Sequence, residues 1–243
     1  RDLHSFPTRR SSDLFVKESF DPIEFAPEKE DEDIASRYLS KDEYCQLSSV
    51  ERNQRALDRF WERSKSKRLI GKLYEQYVGY TYEQQGYQVE YFGITEGVSD
   101  LGRDLVCSKE KTVLLIQCKN WSQTKTIYEK HIFQFFGTVY QFAKNNPGKI
   151  VKGAFYTATL LSETARSFAK EFNIELHEEF PLKRYPMIKC NVGRNGEGIY
   201  HLPFDLQYDV TKINTKDGDR YCMTTAEAEA AGFRRAYRWH GTE

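Results

Sequence analysis

The chain has 243 residues, 39% hydrophobic and 14% aromatic, with 36 Lys and Arg balanced by 36 Asp and Glu. This composition supplies a substantial core and excludes disorder throughout, and no run reaches the roughly 20 apolar residues of a membrane-spanning helix. The five cysteines are scattered and form no CxxC pair, so a cytoplasmic, reduced protein without membrane attachment is expected.

Residues 1–14 (RDLHSFPTRRSSDL) resemble a translated frame of a short-read sequencing adapter and are set aside from fold reasoning. Residues 15–48 read as an acidic, partly disordered arm, with ten acids against four bases over residues 15–43. Zero net charge taken alone argues against a nucleic-acid partner. Beyond the arm, however, residues 44–243 carry 29 bases and 24 acids, so the folded part is positive.

From residue 49 to about 85, apolar residues recur at three and four (Leu57, Phe60, Trp61, then Leu69, Leu73, Tyr77, Val78), which predicts helix with a break or close packing near Gly71. Its middle holds Arg59, Arg63, Lys65, Lys67, Arg68 and Lys72, which read equally as a solvated face or a phosphate-tracking stripe. After Gly86 the pattern turns to strands over residues 87–94, 103–107 and 112–121, with a tight turn at 108–111. A helix over 129–144 carries the stripe Ile132, Phe135, Phe136, Val139, Tyr140 and stops at Asn145-Asn146-Pro147-Gly148. A strand (150–157), a helix (162–172) and a short strand (174–177) follow, and this order predicts an α/β layered sandwich around a central mixed sheet. Residues 179–190, with Pro181 and Pro186, read as a linker to a small α+β module over 191–243. Within that module Thr224 and Glu227 suggest a capping box.

Chemistry concentrates on Glu75 in the long helix, Asp104 at the start of the second strand, and Gln117 and Lys119 two apart on the third. Alternation puts Gln117 and Lys119 on one face and Ile116 and Cys118 on the other. A hairpin turn centred near Glu110 sets Asp104 across from Gln117, with flexible Gly102 and a second acid, Asp100, close by. Carboxylates and a carbonyl suit Mg²⁺, with Mn²⁺ as a substitute, and Lys119 can orient a nucleophile, so metal-assisted phosphodiester hydrolysis is the expected reaction. An apolar strand that ends abruptly in Gln, Cys and Lys supports a site, because polar groups at the interior end of a sheet are costly unless used.

The segments GKLYEQYVGYTYEQQGYQV, DLGRDLV, LLIQCKNW and GAFYTATLLSETARSFAKEFNIEL, over about residues 68–177, resemble the Mrr-like branch of the PD-(D/E)xK restriction endonucleases. The resemblance implies a restriction-endonuclease-like fold and an active site of Glu75, Asp104, Gln117 and Lys119. Glu75, Asp104 and Gln117 would hold the metal, and Asp100 matches the first acid of the loop. It also implies a DNA substrate, a homodimer where both strands are cut, and a role in restriction or phage defence. Arg103 departs from the smaller apolar residues frequent at its position and is read either as a phosphate contact or as projecting outward. Nucleic-acid contacts are expected from Arg63, Lys65, Lys67, Arg68, Arg103, Arg234 and Arg235. The last two belong to a basic, aromatic tail with Phe233, Tyr237, Arg238 and Trp239, read equally as an amphipathic helix end packing Phe233 and Tyr237. The C-terminal module is similar to small Ada-type zinc-binding modules, but Cys190, His201, Cys222 and His240, spaced by 11, 21 and 18, lack paired closeness, so zinc is not expected. Two alternatives stay open: a DNA-binding module that has lost turnover, as the neutral Gln117 suggests, or a nuclease acting on branched, modified or RNA substrates.

Overall fold

Serine caps organise the N-terminal helices of the computed structural model, which describes residues 33–95, 102–121, 125–193 and 195–236. Ser40 caps α1 (Lys41–Gln46) and Ser48 caps α2 (Ser49–Glu62), each answered by a glutamate three residues on, and Ser66 caps α3 (Lys67–Glu83). The helix expected over 49–85 is therefore two helices. Its break lies at residues 63–66 rather than at Gly71, because the Ser66 hydroxyl satisfies the Leu69 amide and starts a new helix there. Gly71 has nothing within 4 Å of where a Cβ would stand, whereas a Cβ on Gly79 would enter the Tyr91 ring.

Part of the acidic arm is ordered. Ile34–Tyr38 form a 3₁₀ turn with Ala35 fully buried, and Glu43 binds the Arg59 guanidinium at 2.5 and 2.7 Å. The last acidic helix of the arm, α1, is thus held on α2 by a paired charge.

Ile34–Tyr237 form one unit containing two sheets. In the first, β1 (Gln88–Tyr91), β2 (Leu105–Lys109) and β3 (Thr112–Lys119) are an antiparallel meander. Helix α5 (Glu129–Asn145) then carries the chain to β4 (Ile150–Thr157), parallel to β3, and α6 (Glu163–Glu171) to β5 (Ile174–His177), parallel to β4. The order β1-β2-β3-β4-β5 is the expected mixed sheet. Leu114, Ile116 and Cys118 pack with Tyr74 and Val78 of α3, while Val113 and Leu115 pack with Ile132 and Phe135 of α5, so alternation on β3 assigns its two faces to two helical layers. The strand expected over 87–94 stops at Tyr91, and Phe92–Thr95 form a one-turn helix, α4, in which Gly93 N–H donates to the Asp104 carbonyl at 3.1 Å.

The second sheet, ordered β8-β6-β7-β9, comprises β6 (Ile188–Val192), β7 (Gly198–His201), β8 (Arg220–Cys222) and β9 (Phe233–Arg235), with α7 (Thr225–Ala230) before the last strand. The Thr224–Glu227 capping box opens α7 as expected. The 179–190 segment is more than a linker: Tyr185, Met187, Ile188 and Cys190 are buried against Leu57 and Phe60 of α2 and Leu73 of α3, and β6 begins inside it. Its prolines end regular structure, but its apolar side chains complete a core. Phe233–Arg235 is a strand, not a helix end, while Tyr237, Arg238, Trp239 and His240 lie outside the described residues.

Where the second sheet meets α3, Lys189 is 4% exposed and donates to the carbonyls of Tyr208 and Thr211 at 3.0 and 2.9 Å. Glu83 accepts from the hydroxyls of Tyr221 and Tyr91 at 2.6 and 3.1 Å. Burial pushes the Lys189 ammonium down to about 8, against the opposing pull of Glu83 and Asp209, and burial raises the Glu83 carboxyl. Because the folded value for Lys189 lies below the unfolded one, the unfolded chain holds more protons between the two, and stability rises with pH across that window. Wild type should therefore gain on the order of 2 kcal/mol relative to Lys189→Met between about pH 8 and 10.5, read by urea unfolding at each pH.

Candidate active site

Asp104 stands one residue before β2, where the ladder of β3 would otherwise continue. Its N–H donates to the Ile116 carbonyl at 2.8 Å and its Oδ2 accepts the Cys118 N–H at 2.5 Å. The carboxylate thus takes the place of a backbone partner and is fixed by a charge-assisted bond to the strand that carries Gln117 and Lys119. Gly102 delivers it: its φ of +78° is a left-handed conformation that a side chain resists, and a Cβ there would lie 3.4 Å from Gln117 Nε2.

Glu75 reaches the same end of the sheet from α3, whose Leu73, Tyr74 and Val78 are buried in the core. A single point marks the convergence of the two acids: a Cβ built on Gly93 would be 2.8 Å from Glu75 Oε2 and 3.2 Å from Asp104 Oδ1. The Cys118 thiol senses both, being pushed well above its ordinary value by burial first and then by the negative charge of Asp104 and Glu75. Gln117 is 3% exposed, and its Oε1 is buried with no hydrogen-bond partner among the described residues. A buried, unused carbonyl beside two converging carboxylates is a donor set of hard oxygens, which fits a divalent cation such as Mg²⁺. The set is lean, since among the described residues no three His, Cys, Asp or Glu side chains cluster for a metal, so water and phosphate oxygens must complete it.

Lys119 is half-buried on the Gln117 face of β3. Its charge bears on His131 of α5, whose imidazole is pushed down by burial first and then by Lys119 and Lys130. The His131 ring stands edge-on to Trp121 at 5.1 Å. Glu75, Asp104 and Gln117 are therefore brought together, with Lys119 beside them on the α5 side, while Asp100 lies outside the described residues. Gly93 borders the two acids, and no local sequence pattern singles it out.

The expected nucleic-acid contacts divide. Arg235 is 7% exposed and is held by Asp205 and Asn53, so it is a core ion pair and not a phosphate ligand. Lys65 donates to the carbonyls of Trp61 and Arg63 at 2.5 and 2.8 Å, Arg59 is paired with Glu43, and Lys72 with Asp209, which breaks the continuous stripe. Arg63, over the Tyr38 ring, and Lys67 and Arg68 remain exposed. Arg103 does not project outward: its guanidinium stacks over Phe92 and Phe142 at 4.8 and 5.8 Å. Arg234 pairs with Glu197 at 2.9 Å on the surface. In the second sheet, the Cys190 and Cys222 sulfurs are 3.6 Å apart, and His201 Nε2 is engaged by Asn191 Oδ1 at 3.1 Å.

Residues 67–184 match the family Mrr_cat, described as restriction endonuclease. Over these residues, just under half of its length, the chain is similar to a restriction endonuclease domain. The matched segment begins with α3 and ends beyond β5, so it contains Glu75, Asp104, Gln117 and Lys119 and omits α2 and the second sheet. Among solved structures, a protein of unknown function, AF1548, aligns at 20% identity and TM-score 0.36, covering 45% of this chain and 60% of that one. The MspJI restriction endonuclease in complex with a 27-mer oligonucleotide aligns at 14% identity and TM-score 0.35, covering 58% and 32%. A repair endonuclease from Pyrococcus abyssi aligns at 15% identity and TM-score 0.36, covering 49% of each chain. The alignments thus span 60% or less of these structures' own lengths. No curated protein matches the chain.

Proposed function

We propose that this domain is a divalent-metal-dependent DNA endonuclease hydrolysing phosphodiester bonds, in a restriction or phage-defence setting. The observation that carries the reading is the convergence of Glu75 Oε2 and Asp104 Oδ1 on one point beside the unused Gln117 Oε1. Glu75, Asp104 and Gln117 would hold Mg²⁺, or Mn²⁺ in its place, which when bound neutralises charge on the scissile phosphate and acidifies a water. Asp104 is locked by the Cys118 amide and so presents a fixed Oδ1 with little reorganisation. Lys119 supplies positive charge to the phosphate and orients the attacking water. Exposed Lys67 and Arg68 at the start of α3 would track the backbone of the duplex. One such centre cuts one strand, so cleavage of both strands calls for two copies of the chain. The scattered cysteines, without a CxxC pair, suit a reducing cytoplasm.

The test is supercoiled plasmid incubated with wild type in Mg²⁺, with wild type in EDTA, and with Lys119→Ala in Mg²⁺. Nicking is expected in the first arm alone, and equal nicking in all three overturns the proposal. The neutral Gln117 favours one other reading, a DNA-binding module without turnover. Duplex binding with no cleavage in either Mg²⁺ or Mn²⁺ would select it.

A further inference from the structure

We infer that Asp209, on the segment after β7, is a positioning residue for the active site: it holds the Lys72 ammonium away from the Glu75 carboxylate. The inference rests on the endonuclease reading of the site, which it deepens with a residue outside the matched segment 67–184. Lys72 stands three residues before Glu75 on α3, and side chains at that spacing are neighbours on a helix surface. An ammonium left unheld there pairs with the carboxylate and offsets one of the two negative charges that the site offers a cation.

Lys72 turns the other way. Its Nζ pairs with Asp209 Oδ2, while Asp209 Oδ1 accepts the Gln76 amide at 2.9 Å. Lys72 and Gln76 are one turn apart, so Asp209 spans the turn of α3 that contains Glu75. Asp209 is itself well anchored. The neighbouring Tyr208 is 1% exposed, its hydroxyl donates to the Met187 carbonyl at 2.8 Å, and its carbonyl accepts from Lys189 at 3.0 Å. On the other side, the Thr211 N–H donates to the Gln207 carbonyl at 3.0 Å. Helix α3 is equally fixed, because Leu73, Tyr74 and Val78 are buried in the core. When Asp209 loses its charge, what moves is therefore the Lys72 ammonium, at the end of a side chain with four torsions, and neither carboxylate has to shift.

Asp209→Asn isolates this effect, since its remaining oxygen still accepts the Gln76 amide while the charge that holds Lys72 is gone. In calorimetric titration with Mn²⁺, Asp209→Asn should bind about threefold more weakly than wild type. Adding Lys72→Met should restore that loss, whereas Lys72→Met alone should change the affinity by less than about twofold. An equal effect of Lys72→Met in the two backgrounds overturns the inference, because Lys72 would then act on the site from one place whether or not Asp209 holds it. Urea unfolding in EDTA reads the same contact without metal. Glu75→Gln should be about threefold less favourable to the folding constant in Asp209→Asn than in wild type, because Glu75 has gained a cation there, and Lys72→Met should abolish the difference. Equal shifts in the two backgrounds overturn the inference. A wild type that binds no Mn²⁺ overturns the endonuclease reading instead, and the unfolding cycle still decides the role of Asp209.

Discussion

Asp104→Asn should lower plasmid cleavage by about 10²–10³-fold or more while leaving the melting temperature nearly unchanged. The asparagine oxygen can still accept the Cys118 N–H that Asp104 Oδ2 accepts at 2.5 Å, so the end of β3 keeps its partner. What disappears is the negative charge facing the point where Glu75 Oε2 also arrives, and with it half of the formal charge available to a cation. Asp104→Ala differs in a measurable way. It leaves the buried Cys118 amide without its acceptor, which adds a stability loss of about 1–3 kcal/mol to the same loss of cleavage. Plasmid nicking and thermal unfolding on the two variants separate charge from scaffold. Wild-type cleavage by Asp104→Asn would remove Asp104 from the site.

Much of this centre is legible in the sequence because strand geometry is local. Alternation along β3 assigns Gln117 and Lys119 to one face, and a tight turn at Glu110 places Asp104 opposite Gln117, as the Leu105–Ile116 pairing confirms. Glu75 is visible only through the resemblance and its helical context, since nothing in the periodicity of α3 marks which solvent-side residue bends toward the sheet. Gly93 does not stand out either: its closeness to Glu75 depends on a carboxylate from another element, and residue 93 falls inside the strand expected over 87–94. The charged residues mislead in the opposite direction. Arg59, Lys72 and Arg235 look like surface cations, yet Glu43, Asp209 and Asp205, all distant in sequence, neutralise them. The boundary of the second sheet is missed because Pro181 and Pro186 signal a linker, while Tyr185, Met187 and Ile188 between and after them are buried against α2 and α3.

Asp205→Ala should destabilise the protein by about 3–5 kcal/mol, a drop of about 10 °C in melting temperature. The Arg235 guanidinium and the Asp205 carboxylate have side-chain exposures of 7% and 10%, and they meet through two parallel bonds. Asp205 also accepts the Leu202 N–H at 2.6 Å, and Arg235 Nε reaches Asn53 of α2 at 3.3 Å. Removing the acid strands a buried cation that Asn53 alone cannot compensate, whereas the paired change Asp205→Leu with Arg235→Met removes both charges and should recover most of the loss. Urea unfolding of wild type and the two variants measures this. The consequence reaches the active site through packing: Leu73 of α3 lies in the same core as Ile188, Tyr200 and Phe233, and α3 carries Glu75. Asp205→Ala should therefore cleave normally well below its lowered melting temperature and lose activity only as that core opens. Asp104→Asn should show the reverse, losing cleavage at every temperature with its stability intact. Loss of cleavage by Asp205→Ala at temperatures where it is fully folded would show that the second sheet acts on the chemistry directly and not through the support it gives α3.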